Sequence, residues 1–203
     1  SLKTILKFNH PCILRSIDFN EYGFDQEYRP TLVTEFNSNI TLENVINKGS
    51  ETNQLNATKK LINIYGIASG MLYLHTHNIL HLNLTPNNII EDSNFYPKIK
   101  DFIINGLFKS VKTLARIIDF SPYQAPEMFL NSEYIKSSEV YSFSMIVYAI
   151  MTNKLPPEVS SLDIINNIDK NIRPSLNEEI PKPYRELISK CWSNDPKERP
   201  TFS

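Results

Sequence analysis

Cysteine is scarce in this sequence. Its two cysteines, Cys12 and Cys191, stand at opposite ends of a 203-residue chain, which excludes a disulfide framework and a closely spaced thiolate pair for a metal. A reducing, cytoplasmic setting is the expectation. An excess of either charge is also missing: 21 Lys and Arg stand against 22 Asp and Glu, a formal net charge of −1, and the isoelectric point is near 6.4. No surplus of cations is present to hold nucleic-acid phosphates or an anionic membrane, so neither is an expected partner. Long hydrophobic runs are absent too. The longest, Phe143 to Met151, is about half of the roughly 20 residues that a membrane-spanning helix needs, and it reads as a buried core helix. There is no basic start followed by an apolar run, and the first residue is Ser1 rather than Met, which predicts a stretch taken from a longer chain. Asn is frequent but scattered among Ile and Leu, so no low-complexity linker and no internal repeat is visible.

What is present suits one globular domain: 41% of the residues are hydrophobic and 21% are charged. Leu2 to Phe8 reads as a helix end stopped by Asn9, His10 and Pro11, and the alternation in Cys12 to Phe19 reads as a strand followed by a turn at Gly23. Thr31 to Phe36 is a second β-favouring run, after which Leu42, Val45 and Ile46 begin helical spacing. Leu61, Ile64, Tyr65, Ala68, Leu72 and His75 recur at steps of three and four, predicting one apolar face on a long helix that ends near His77. Two short strand-like runs, around Ile89 and Ile99, flank Pro97. Periodicity then fails from Lys100 to Glu127, and so long an unstructured stretch inside a compact domain points to function. Helices are predicted again from Ser137 or Ser138, as a cap, through Met151, and near Leu162 to Ile168 and Tyr184 to Trp192.

Six short segments follow one another in order: HLNLTPNN from His81, DFI from Asp101, APE from Ala125, EVYSFS from Glu139, CW at Cys191 and ERPTF from Glu198. Each is weak alone, but their order and spacing together resemble the landmarks of the protein kinase superfamily, in its tyrosine-kinase-like and Ser/Thr-kinase-like branch. The resemblance implies an α+β, protein kinase-like fold. It also implies that residues 1–203 are a kinase-like domain truncated at its N-terminus. Residues 1–36 would be the remnant of the N-terminal lobe and its hinge, and 37–203 the α-helical C-terminal lobe.

Within that resemblance, VTEF looks like the hinge that hydrogen-bonds adenine, with Thr34 at the gatekeeper position and Glu35 and Phe36 beside it as nucleotide-binding residues. A strand entering a turn needs no ligand to explain it, so a purely structural role stands beside this one. Asn83 falls at the position of the catalytic aspartate and Thr85 at that of the loop lysine. In phosphoryl transfer the aspartate orients the substrate hydroxyl and takes its proton, while the lysine offsets charge on the transferring group. Asn83 is neutral and cannot be that base, and Thr85 supplies no cation. Leu82 replaces an arginine that pairs with a phosphorylated loop, and Phe120 a threonine of the same network. Asn88 and Asp101 resemble the magnesium ligands, two oxygen donors suited to a hard cation on nucleotide phosphates. Asp101 capping a turn and Asn88 holding the loop are the structural alternatives. Ile103 stands where a glycine lets the backbone switch.

Glu127 and Arg199 are implied to form a buried ion pair that anchors the activation segment, and Glu139 to accept backbone N–H bonds from the catalytic loop. Trp192 reads most simply as core. His75, His77 and His81 have no thiolate or second cluster to support a zinc site, and Ser110, Thr113 and Ser121 are hydroxyls in a loop. A glycine-rich phosphate loop and a Val-Ala-Ile-Lys-like strand are missing from these 203 residues. The reading with most support is therefore a catalytically impaired pseudokinase domain. It would act in signalling by binding other proteins, among them an active kinase, with ATP and magnesium as the cofactors its surviving residues point to. The alternatives are a weakly active ATP-dependent protein Ser/Thr kinase and a helical interaction module that binds no nucleotide.

Overall fold

The computed structural model describes residues 6–22, 27–35, 40–52, 55–102, 121–130, 134–157 and 173–203. The predicted helix near Leu162 to Ile168, together with Phe36, Ile103, Ser110, Thr113 and Phe120, lies outside them. Strands β1 (Ser16–Tyr22) and β2 (Tyr28–Thr34) pair antiparallel, with irregular register on either side of Asp18 to Asn20. A second pair, β3 (Ile89–Glu91) and β4 (Pro97–Ile99), also runs antiparallel, with Ile89 opposite Ile99 and Glu91 opposite Pro97. The Cys12 to Leu14 segment extends it, because the Ile99 N–H donates to the Cys12 carbonyl at 2.8 Å and Leu14 N–H to the Ile99 carbonyl at 2.9 Å.

Helix α1 (Leu42–Thr52) begins on a capping box. Thr41 Oγ accepts from the Asn44 N–H at 3.2 Å while Asn44 Oδ1 accepts from the Thr41 N–H at 3.1 Å, satisfying donors that a helix start leaves orphaned. Helix α2 (Ala57–Thr76) is capped by Asn56, whose side chain accepts from the Lys59 N–H at 3.0 Å. Helix α4 (Lys136–Thr152) follows the short α3 (Pro126–Leu130), and α5 (Lys182–Cys191) closes the described order. No serine caps α4. Its N-cap is Ile135, and Ser138 instead reaches back so that its Oγ accepts from the Ile135 N–H at 3.3 Å.

From Ser138 to Ile150, α4 is buried on nearly every side. It lies antiparallel to α2, and a lysine closes each end of the pair. Lys60 donates to the Met151 carbonyl at 2.8 Å at the C-terminus of α4, and Lys136 donates to the His75 carbonyl at 2.7 Å at the C-terminus of α2. The core between them holds Ile67, Met71 and Leu74 of α2, Ile146 and Ile150 of α4, and Ile188 of α5. Among the described residues no helix is long and apolar enough to cross a membrane.

The C-terminal end of α2 falls where its periodicity predicts, but its buried face is rotated from the expected one. Leu61 and Tyr65 are 51% and 78% exposed, while Gly66 and Gly70 are buried with Ile67 and Met71. The reason is steric. A Cβ at Gly66 would lie 2.6 Å from Pro97 Cγ, and one at Gly70 would lie 2.8 Å from Ile99 Cδ1 and 3.1 Å from the Cys12 carbonyl. Two glycines one helical turn apart thus let β4 and the Cys12 segment pack directly on the helix backbone, and a hydropathy pattern does not score glycine as a contact surface.

Glu91, only 1% exposed, faces Asn63, whose Nδ2 donates to its Oε2 at 3.4 Å. Burial pushes its carboxyl up to about 8, with nearby Asp92 adding to the rise and Asn63 and Lys59 opposing it. Two outcomes are expected. Because the folded pKa lies above the ordinary 4.5, the stabilisation is complete below that value and is lost as pH rises through about 8. Unfolding midpoints measured from pH 5 to pH 9 should therefore fall with pH, and Glu91→Gln should flatten the profile and raise its alkaline end. Gly66→Ala should lower the stability read from urea denaturation by about 1–3 kcal/mol, because the rigid Pro97 ring resists the new methyl by more than the ~1 kcal/mol of helix propensity gained.

Candidate functional site

The loop from His81 to Asn88 is positioned by its backbone. His81 is fully buried, which pushes its imidazole below the usual histidine value toward the neutral form. Its Nδ1 accepts from the Asn83 N–H at 3.3 Å. Leu82 adopts φ 69, a left-handed conformation that costs a side-chain-bearing residue energy unless its surroundings hold it. Here they do: the Leu82 side chain is buried and its N–H donates to Glu139 Oε1 at 2.8 Å. Glu139 is 0% exposed, and its other oxygen lies 2.6 Å from His75 Nε2. The Tyr134 phenol near this carboxylate is pushed up by burial first and by Glu139 second.

Asn83 is half-buried, and its side chain has no hydrogen-bond partner among the described residues. It faces Ser121, Tyr123 and Ser142 across a narrow crevice that Thr85 also lines. The Asn83 carbonyl accepts from Asn88 Nδ2 at 2.9 Å, and the Asn88 N–H donates to the Thr85 carbonyl at 3.0 Å, closing a 3-10 turn over Pro86–Asn88. The amide of Asn88 is thus oriented, with Nδ2 toward the loop and Oδ1 away from it.

Asn88 and Asp101 are brought together, and a residue that the sequence did not single out lies between them. Lys100 Nζ pairs with Asp101 Oδ2 and lies 3.5 Å from Asn88 Oδ1. The arrangement follows from the strands: one step beyond the Ile89 and Ile99 pair, the Lys100 N–H donates to the Asn88 carbonyl at 3.0 Å. Residues directly opposed in an antiparallel pair share a face. The available signal was the spacing of Lys98 in β4 and Lys100 just past its end, two residues apart along extended chain.

A divalent ion does not fit the pair in this arrangement. Oxygen donors suit magnesium, but the Lys100 ammonium already stands between the two donors, so an ion could reach them only by displacing it. At the other end of the same face, Lys98 pairs with the Glu35 carboxylate. Thr34 ends β2, and the Glu35 N–H donates to the Arg15 carbonyl at 2.9 Å. Partial burial pushes the Glu35 carboxyl up, but the hydrogen bonds from Lys98 and Arg15 outweigh it and leave the group below its usual value.

Glu127 and Arg199 meet away from this cleft. Arg199 Nη1 and Nη2 donate to the two Glu127 oxygens at 2.7 and 2.8 Å, and Ser138 Oγ donates to one of them at 2.6 Å. Arg199 also donates to the Ser137 carbonyl at 3.0 Å and the Ser193 carbonyl at 2.9 Å. Both side chains are buried. Burial pushes the Glu127 carboxyl up, but Arg199 and Ser138 together hold it below its usual value. Trp192 is buried beside Tyr148. Among the described residues no group of three His, Cys, Asp or Glu could hold a metal ion.

The profile of the family described as protein tyrosine and serine/threonine kinase matches residues 1–203. Relatives in Dictyostelium discoideum include the dual specificity protein kinase pyk3, 31% identical over all of this chain and 15% of its own length. The dual specificity protein kinase shkB is 30% identical over 85% of this chain and 28% of its own. The probable serine/threonine-protein kinase roco8 is 31% identical over 85% of this chain and 10% of its own. The chain thus spans about a tenth to somewhat over a quarter of these relatives.

Because Arg199 donates four hydrogen bonds from a buried position, Arg199→Ala should lower unfolding free energy by about 3–5 kcal/mol, leaving Glu127 buried without its cation. Arg199→Lys should recover only part of this in urea melts, since a lysine cannot reproduce the two-pronged contact.

Proposed function

This chain belongs to the protein tyrosine and serine/threonine kinase family, and we propose that within it the chain is a catalytically impaired pseudokinase that acts in cytoplasmic signalling by binding other proteins, such as an active kinase. The observation that carries the reading is Asn83. Its loop keeps an ordered backbone, tied through Leu82 to Glu139 and through Asn88 to its own carbonyl, while the side chain at the base position is a neutral amide. An amide cannot accept the proton of a substrate hydroxyl. General-base catalysis supplies about 10² to 10⁴ in rate, roughly 3 to 5 kcal/mol of barrier. Thr85, at the neighbouring position where a lysine would offset phosphoryl charge, removes a further part of the same unit. The framework of the fold is in place beside it: the Glu127 and Arg199 pair and the buried α4 hold the helical part together.

Residues 1–36 are assigned to the hinge side and 37–203 to the helical lobe. The resemblance assigns nucleotide binding to Thr34, Glu35 and Phe36, and ATP is the ligand that segment would take. A second reading, a weakly active protein Ser/Thr kinase, is favoured by the names of the relatives, which are serine/threonine or dual specificity kinases.

Radiolabel transfer from ATP to a generic protein substrate, measured on the full-length protein, separates the two. No transfer is expected from the unmodified protein. Asn83→Asp with Thr85→Lys should gain at least about 10² in rate if the missing base and cation are the obstacle. Transfer by the unmodified protein that a nucleotide-site competitor abolishes would sink the pseudokinase reading.

A further inference from the structure

Three features of separate origin converge on one ammonium. Strand register sets Lys100 opposite Asn88. The hydrogen bond from Asn88 Nδ2 to the Asn83 carbonyl turns Oδ1 outward, 3.5 Å from Lys100 Nζ. The left-handed backbone at Asp101, φ 58, folds its carboxylate back onto the same nitrogen. A lysine ammonium has three donors and no acceptor. Asp101 and Asn88 face it among the described residues, which leaves donor capacity for one further oxygen. Lys98, two residues earlier and inside β4, places a second cation toward Glu35. The face between Glu35 and Asp101 therefore carries two cations and two carboxylates, a pattern that an anion enters by sharing the lysines.

The geometry points to Lys100 as a tethered replacement for a divalent cation: the site takes the phosphate oxygens of a nucleoside triphosphate without a metal ion, with the Lys100 ammonium between those oxygens and Asp101. This deepens the nucleotide part of the function proposed above and depends on it only for the presence of the ligand. Metal-free binding follows from occupancy: the ammonium holds the place between Asp101 and Asn88 that a divalent cation would take, and it hydrogen-bonds phosphate as a point charge.

The test is titration of the full-length protein with fluorescent methylanthraniloyl-ATP, once with magnesium and once with EDTA. Affinities in the two buffers should agree within about twofold, whereas Lys100→Met should weaken EDTA binding by about tenfold or more and recover with magnesium. Lys100→Gln gives the same comparison if the methionine variant does not fold. An affinity of the unmodified protein that rises about tenfold with magnesium overturns the inference, as does a Lys100 variant indistinguishable from it, or no nucleotide binding in either buffer. Phosphate transfer measured on the same preparation reports separately on the pseudokinase reading. An active enzyme that binds ATP without metal and an inactive one that requires magnesium are therefore told apart.

Discussion

A carboxylate with no exposed surface, Glu139 in the first turn of α4, sets the geometry of the loop before it. Burying such a group costs several kcal/mol unless it is hydrogen-bonded. Its partners come from two places: the Leu82 N–H and the His75 ring at the end of α2. Its place near the helix N-terminus adds a favourable dipole. The Leu82 contact is what makes the left-handed turn tolerable, and that turn aims Asn83 and Asn88. Removing the carboxylate would therefore disturb the loop, the helix pair and the cleft together.

Another buried carboxylate, Glu127, has a different task. It is satisfied by a two-pronged arginine and a serine, and Arg199 reaches on to carbonyls at Ser137 and Ser193. This cluster pins α3 to the start of α4 and to the segment after α5. The two acidic positions thus divide labour: Glu139 shapes the loop, and Glu127 fastens α3 to the helices behind it.

Much of the fold was legible because it rests on local signals. The helical spacing from Leu42, the strand runs around Ile89 and Ile99, and the six ordered motifs led to the α+β kinase-like fold. The face of α2 was not legible, because Gly66 and Gly70 are contact surface by virtue of what they lack. The start of α4 was misplaced for a related reason: Ser138 serves Ile135 and Glu127 from inside the helix, so a serine near a helix start is not always its cap. At the site, Asn88 and Asp101 could be named from their motifs. Lys100 could not, since its contact needs both the strand register and the positive φ of Asp101, and neither is written in a single residue type.

The close seating of β4 on the glycine backbone of α2 has a mechanical side. Helices are stiff, and packed interiors transmit displacement rather than absorb it. Gly66 touches Pro97 and Gly70 touches Ile99, the residues on either side of Lys98, with Lys100 next in line. The helix core thus works as a datum plane for the cationic face: a fraction of an ångström added beneath the strand is delivered to both ammonium groups at once. Two positions without side chains, far in sequence from the cleft, calibrate where its charges stand.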